Sequence, residues 1–86
     1  MKIKLADGTL LDVDMTACVS KVIDTYGYDE ATSTLYIRFQ HGKKLYAYSG
    51  FPADMHNSMR EAVSAGKYFQ QHIVKNYHGN YINEAE

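Results

Sequence analysis

Leu35 to Tyr48 reads LYIRFQHGKKLYAY, and this stretch constrains the fold more than any other. Leu35, Ile37 and Phe39 alternate with Tyr36, Arg38 and Gln40, the two-residue period of a half-buried strand. His41-Gly42 supplies a turn, and Lys44 to Tyr48 resumes the alternation with strand-favouring aromatics. With His41 and Gly42 central in the turn, Arg38 faces Leu45 and Ile37 faces Tyr46. That register puts Leu35, Ile37, Phe39, Tyr46 and Tyr48 on one face, with Tyr36, Arg38, Leu45 and Ala47 on the other.

The flanking sequence supplies further strands and a helical cover. Lys2 to Val13 reads as a first hairpin with a three-residue loop, Ala6-Asp7-Gly8, in which Gly8 takes positive φ. This aligns Ile3 with Leu11 and gathers Ile3, Leu5, Leu11 and Val13 on one face, whereas a two-residue Asp-Gly turn opposes Ile3 to Asp12. Asp14 to Ala17 reads as a connector, and Val19 to Tyr28 as a strand. Ile23 and Tyr26 are three apart, so either a bulge lies between them or only one points inward. Gly27 permits close approach or an unusual backbone angle.

Gly50-Phe51-Pro52 ends the sheet, with Pro52 expected at a first helical position. Met55, Met59, Ala62 and Val63 then form one helical stripe, leaving His56, Arg60 and Glu61 outside it. Gly66 is read as closing this helix and Ser64 as capping a second, in which Phe69, Ile73 and Tyr77 recur at i, i+4 and i+8. Gly79 stops that helix, and Asn80 to Glu86 is expected to be a partly ordered tail. The expectation is an α+β fold. An antiparallel sheet of about five strands, the N-terminal hairpin (residues 1–15) among them, carries two C-terminal helices on one face, in a single domain over 1–86.

Eighty-six residues support a small core, and eight Tyr with three Phe and no Trp make tyrosine its main source of large buried surface. Each phenol must reach water or a partner, which puts these rings at the core rim. A single cysteine, Cys18, excludes an intramolecular disulfide and fits a reducing compartment. No apolar run resembles a signal peptide or a membrane span, so a cytoplasmic protein with no membrane partner is the expectation. The net charge of −1 argues against strong non-specific attraction to nucleic acid, yet the charge is unevenly spread. Residues 1–30 carry three lysines against six carboxylates, whereas residues 31–82 carry six cations against two.

The ordered spacing of Ser20, Gly27-Tyr28-Asp29, Leu35/Ile37/Phe39, Gly42, Tyr46-Ala47-Tyr48, Pro52, Ala62, Ser64-Ala65-Gly66, Phe69, Ile73 and Tyr77 resembles the KTSC domain. That family is named for its occurrence at the C-terminus of some lysyl-tRNA synthetases, and it also occurs as free-standing small bacterial or phage proteins. The resemblance spans 19–77 and leaves the N-terminal hairpin outside. Lys21 stands where many relatives have a second Ser, and Tyr26 occupies a usually aliphatic site. The synthetase context implies RNA or tRNA binding, an inference by association.

Candidate contacts follow from the same register. Tyr46 and Tyr48 could stack bases, but they share the face that the helices should cover, so core-rim packing is the preferred reading. Tyr36, on the opposite face beside Arg38 and near Lys43, is the better stacking candidate. Lys43, Lys44, Lys67 and Lys75 could meet phosphates as point charges, with Arg38 and Arg60 as forked donors. Ser64-Ala65-Gly66-Lys67 could hold an anion at a helix start, although a capped helix with a nearby Lys is frequent.

His41, His56, His72, His78 and Cys18 show no metal-ligand spacing and are expected in solvent. No nucleophile elbow, glycine-rich phosphate loop or paired-carboxylate motif occurs. The reading is a small non-enzymatic binding module without cofactor, contacting RNA or tRNA through Tyr36, Arg38, Lys43, Lys44 and Lys67. The alternative is a protein-interaction or self-association module, with the edge of the added hairpin pairing to another chain.

Overall fold

The structure, a computed structural model, describes residues 2–17, 21–62, 64–73 and 76–84. Cys18, Ser20, Val63 and Lys75 lie outside the described residues. The central alternation folds as a hairpin of β5 (Thr34–Phe39) and β6 (Leu45–Tyr48). Its register is the expected one, with Ile37 opposite Tyr46 and Arg38 opposite Leu45. Ahead of it come β1 (Lys2–Lys4), β2 (Leu10–Asp12), β3 (Thr16–Ala17) and β4 (Ile23–Asp29). After it come α1 (Ala53–Glu61), α2 (Ala65–Tyr68) and β7 (Asn80–Ile82). The architecture is α+β, with a five-stranded antiparallel sheet in the order β3-β4-β5-β6-β7.

The makeup of the sheet differs from expectation. β1 and β2 form a separate two-stranded ribbon and do not join it. Their register is the one chosen from sequence, with Ile3 opposite Leu11, and Gly8 at φ 92° within the loop. The two missing places are filled by segments read as a connector and a tail. Thr16–Ala17 pairs with Tyr26 and Thr25 on β4, and Asn80–Ile82 pairs with β6. Two or three residues carry too little periodicity to reveal a strand, and both segments gain their hydrogen bonds from a neighbour already in place.

The sheet is covered on both faces. On one, Ile23, Tyr26, Leu35, Ile37 and Tyr48 pack with Phe51, Met59, Phe69 and Ile73 from the helical segment. A shift of register between Ile23 and Thr25 is the bulge that lets Ile23 and Tyr26 both enter this core. On the other face, Tyr36, Leu45 and Ala47 are buried beneath Ile3 and Val13 of the N-terminal hairpin. Burying one large apolar side chain is worth about 1.5–3 kcal/mol. The hairpin thus removes a second apolar face from water that the helices, on the far side, cannot reach.

The helical segment departs locally from the sequence reading. Pro52 is the N-cap of α1 and not its first residue, and Ala62 ends α1. Ser64 does cap α2, its Oγ accepting the Lys67 N–H at 3.3 Å, but Gly66 is buried inside α2. From Phe69 to Ile73 the helix widens into a π turn, which keeps Phe69 and Ile73 on the core. His56, expected in solvent, is half-buried and stacks on Tyr28 with centroids 4.8 Å apart and planes 16° apart. Burial, followed by the Arg60 charge, lowers its pKa.

Candidate functional site

The loop of the central hairpin sets the geometry of the site. The Phe39 N–H donates to the Lys44 carbonyl at 3.0 Å, which leaves residues 40–43 as the loop. Positive φ falls on Gly42 (76°) and Lys43 (53°), not on His41, so the loop is not the two-residue primed turn that His41-Gly42 suggests. Lys43 Nζ donates to Gln40 Oε1 at 3.0 Å and pairs with Asp24 at 3.3 Å. Those contacts turn Lys43 toward β4.

An open groove of about 510 Å³ lies beside this loop. Lys21 and Val22 wall it ahead of β4, Phe39 at the end of β5, His41 and Lys44 on the loop, and Tyr46 and Tyr48 on β6. Its volume falls within the range of small-ligand sites. Three rings make the apolar surface and hold one another edge to face. Phe39 meets Tyr46 with centroids 5.5 Å apart and planes at 77°, while Phe69 from below meets both Phe39 and Tyr48. Lys21, His41 and Lys44 stand exposed at the rim, and no carboxylate lines the groove among the described residues.

Tyr48 is the deepest of the rings. Burial, with a smaller contribution from Tyr46, pushes its phenol up to about 12, so it stays protonated at neutral pH. Gly79 lies against the same ring: a Cβ there would stand 2.7 Å from Tyr48 Cζ. The groove can therefore offer ring faces, one buried phenol and two ammonium groups, a set suited to a flat ligand bearing negative charge. Among the described residues no group of three or more His, Cys, Asp or Glu could hold a metal ion. No helix among them is long and apolar enough to cross a membrane.

Of the contact residues chosen from sequence, the structure brings only Lys44 to the groove. Tyr36, placed on an open face as the best stacking candidate, is 8% exposed and buried under the N-terminal hairpin. Its face was assigned correctly, but a second cover lies over that face. Arg38 donates through Nη1 to Glu84 at 2.8 Å and to the Lys43 carbonyl at 2.8 Å, and through Nη2 to the other Glu84 oxygen. Arg38 thus pairs its charge with Glu84 within the fold, whereas Lys43 is exposed and pairs with Asp24 at the surface. Lys67 is exposed on α2 and is not among the residues that line the groove.

Sequence reasoning does not single out Lys21, Val22, Phe39 or His41 as contacts, and it weighs Tyr46 and Tyr48 as stacking rings only to set them aside for core-rim packing. The signal was partly present, since the register already put Phe39, Tyr46 and Tyr48 on one face. What it lacked was the reach of the helices, which cover Tyr48 but leave Tyr46 half-exposed.

Among protein families, the one described as the KTSC domain matches residues 19–77. Among solved structures, the crystal structure of a KTSC domain protein from Yersinia pestis is similar, with a TM-score of 0.77 and 28% identity. The match covers 84% of this chain and 100% of that one. No curated protein matches the chain.

Proposed function

Because this chain belongs to the KTSC domain family, we propose that it is a small non-enzymatic binding module that holds single-stranded RNA in the groove beside the β5–β6 loop. The observation that carries this is the composition of the groove: Phe39 and Tyr46 offer ring surface, and the exposed Lys21 and Lys44 flank it with positive charge. Unpaired bases stack on aromatic side chains in proteins that grip single strands, and ammonium groups beside them meet the phosphates. The contact set is therefore Lys21, Phe39, His41, Lys44 and Tyr46, in place of Tyr36 and Arg38. Lys43, tied to Asp24, and Lys67, on α2, contribute at most to the wider field.

Gel-shift or anisotropy titration against bulk tRNA and a single-stranded oligonucleotide, at low and at physiological salt, tests this. Binding should weaken with salt, and replacing both Lys21 and Lys44 by Ala should lower the salt slope by about 1.4, or about 0.7 for each phosphate left without its ammonium partner. Tyr46→Ala should weaken binding by roughly 1–3 kcal/mol. No binding at low salt, or affinity indifferent to Lys21 and Lys44, defeats the proposal.

A further inference from the structure

We infer that the binding track does not end at the groove but continues across the sheet onto β7, where Tyr81 provides a second stacking position for single-stranded RNA; this rests on the RNA reading of the groove. Tyr81 lies directly opposite Tyr46 in the β6–β7 register, so both rings stand on the same side of the sheet. Their centroids are 5.5 Å apart and their planes are inclined at 60°. Phe39 stands at the same distance on the other side of Tyr46. Three rings from three adjacent strands thus make a row that leads out of the groove toward the sheet edge.

The last ring of the row is the open one. Tyr81 is 52% exposed, whereas Tyr48, one pleat further along β6, is 6% exposed. Rings set edge to face suit bases that are splayed apart, each on its own side chain, and do not suit a continuous base stack. Position on an edge strand does not make Tyr81 loose. β7 is paired to β6, the Asn83 carbonyl accepts the Ala6 N–H at 2.8 Å, and Glu84 is held by Arg38. A ring on a fixed strand loses less freedom on binding than one on a free tail.

Length dependence tests the inference. Anisotropy is measured with fluorescein-labelled oligouridylates, a dinucleotide and a hexanucleotide, against wild type, Tyr81→Ala, Tyr81→Phe and Tyr46→Ala. Tyr46→Ala should weaken both probes. Tyr81→Ala should weaken the hexanucleotide about tenfold, within the range for loss of one base stack, and leave the dinucleotide unchanged. Tyr81→Phe should bind as wild type, because the ring face and not the hydroxyl is used. Backbone amide shifts of Asn80 and Ile82 on titration with the hexanucleotide supply a second readout that needs no variant. Hexanucleotide affinity unchanged in Tyr81→Ala, with wild type binding, overturns this inference and leaves the groove standing. Failure of wild type to bind either probe removes both. Loss of a concentration-dependent dimer in Tyr81→Ala by light scattering, with RNA affinity intact, would instead assign Tyr81 to self-association.

Discussion

Glu84 accepts hydrogen bonds from both terminal nitrogens of Arg38, 46 residues earlier in the chain. Arg38 Nη1 also reaches the Lys43 carbonyl, so one guanidinium joins β5, the hairpin loop and the segment after β7. Leu5 bridges to Glu84 as well, which brings the N-terminal hairpin to the same point.

The Arg38 hydrogen bonds hold the Glu84 carboxyl below its usual range. A carboxylate with a depressed folded-state pKa adds stability above its unfolded pKa and loses it as pH falls through the folded value. Glu84→Gln should therefore cost about 1 kcal/mol or less at neutral pH, since the pair is partly solvated. The gap between variant and wild type, measured by urea unfolding, should begin to narrow as pH falls below about 4.3, the unfolded carboxylate value, and close once pH has passed the lower folded value.

Gly27→Ala should be far more damaging than its size suggests. A Cβ at Gly27 would stand 2.5 Å from the Asp14 carbonyl oxygen, a backbone atom with no side-chain freedom to move away. Forcing room there should cost about 1–3 kcal/mol, as overpacking does elsewhere. Loss of β3 pairing should accompany it, read as faster amide exchange at Thr25 and Tyr26, the β4 partners of Ala17 and Thr16.

Tyr36 gives a prediction of the opposite kind from the one its sequence position invites. As a buried ring under Ile3 and Val13, it should lower stability by about 3 kcal/mol when replaced by Ala. Tyr36→Leu, which removes the ring but keeps the site apolar, should leave RNA affinity unchanged. A base-stacking Tyr36 would instead show its effect in binding and not in urea unfolding.

His56 should titrate below the ordinary imidazole value, because burial against Tyr28 and the Arg60 charge both disfavour the cation. The sign follows: the fold favours neutral imidazole, so stability is fully present above about pH 6.5, the unfolded value, and falls as pH drops through the folded value. An NMR titration of the ring protons checks it, and Arg60→Ala should move the midpoint upward.

Local periodicity made much of the fold legible. The β5–β6 register and the Gly8 loop follow from alternation and from which residues tolerate positive φ, and the three-residue spacing of Ile23 and Tyr26 leaves a bulge as one of two readings. The placement of the N-terminal hairpin did not, because an amphipathic ribbon announces an apolar face without announcing what that face meets. The clue was available in two places: Ile3, Leu5, Leu11 and Val13 lacked a partner, and so did Tyr36, Leu45 and Ala47. Joining the two would have buried Tyr36 and moved the site to the other face. β7 was illegible for a different reason. Asn80-Tyr81-Ile82 becomes a strand through the company of Leu45 and Tyr46, which lie far away in sequence.

The ribbon that roofs Tyr36, Leu45 and Ala47 lies outside the segment 19–77 that the family shares. A fragment cut to that segment would shed β3 and β7 along with the ribbon and present a bare, greasy underside, and such fragments seek company. Clumping or pairing seen with the trimmed piece would accordingly be a property of the cut, and should not be mistaken for the behaviour of the whole chain.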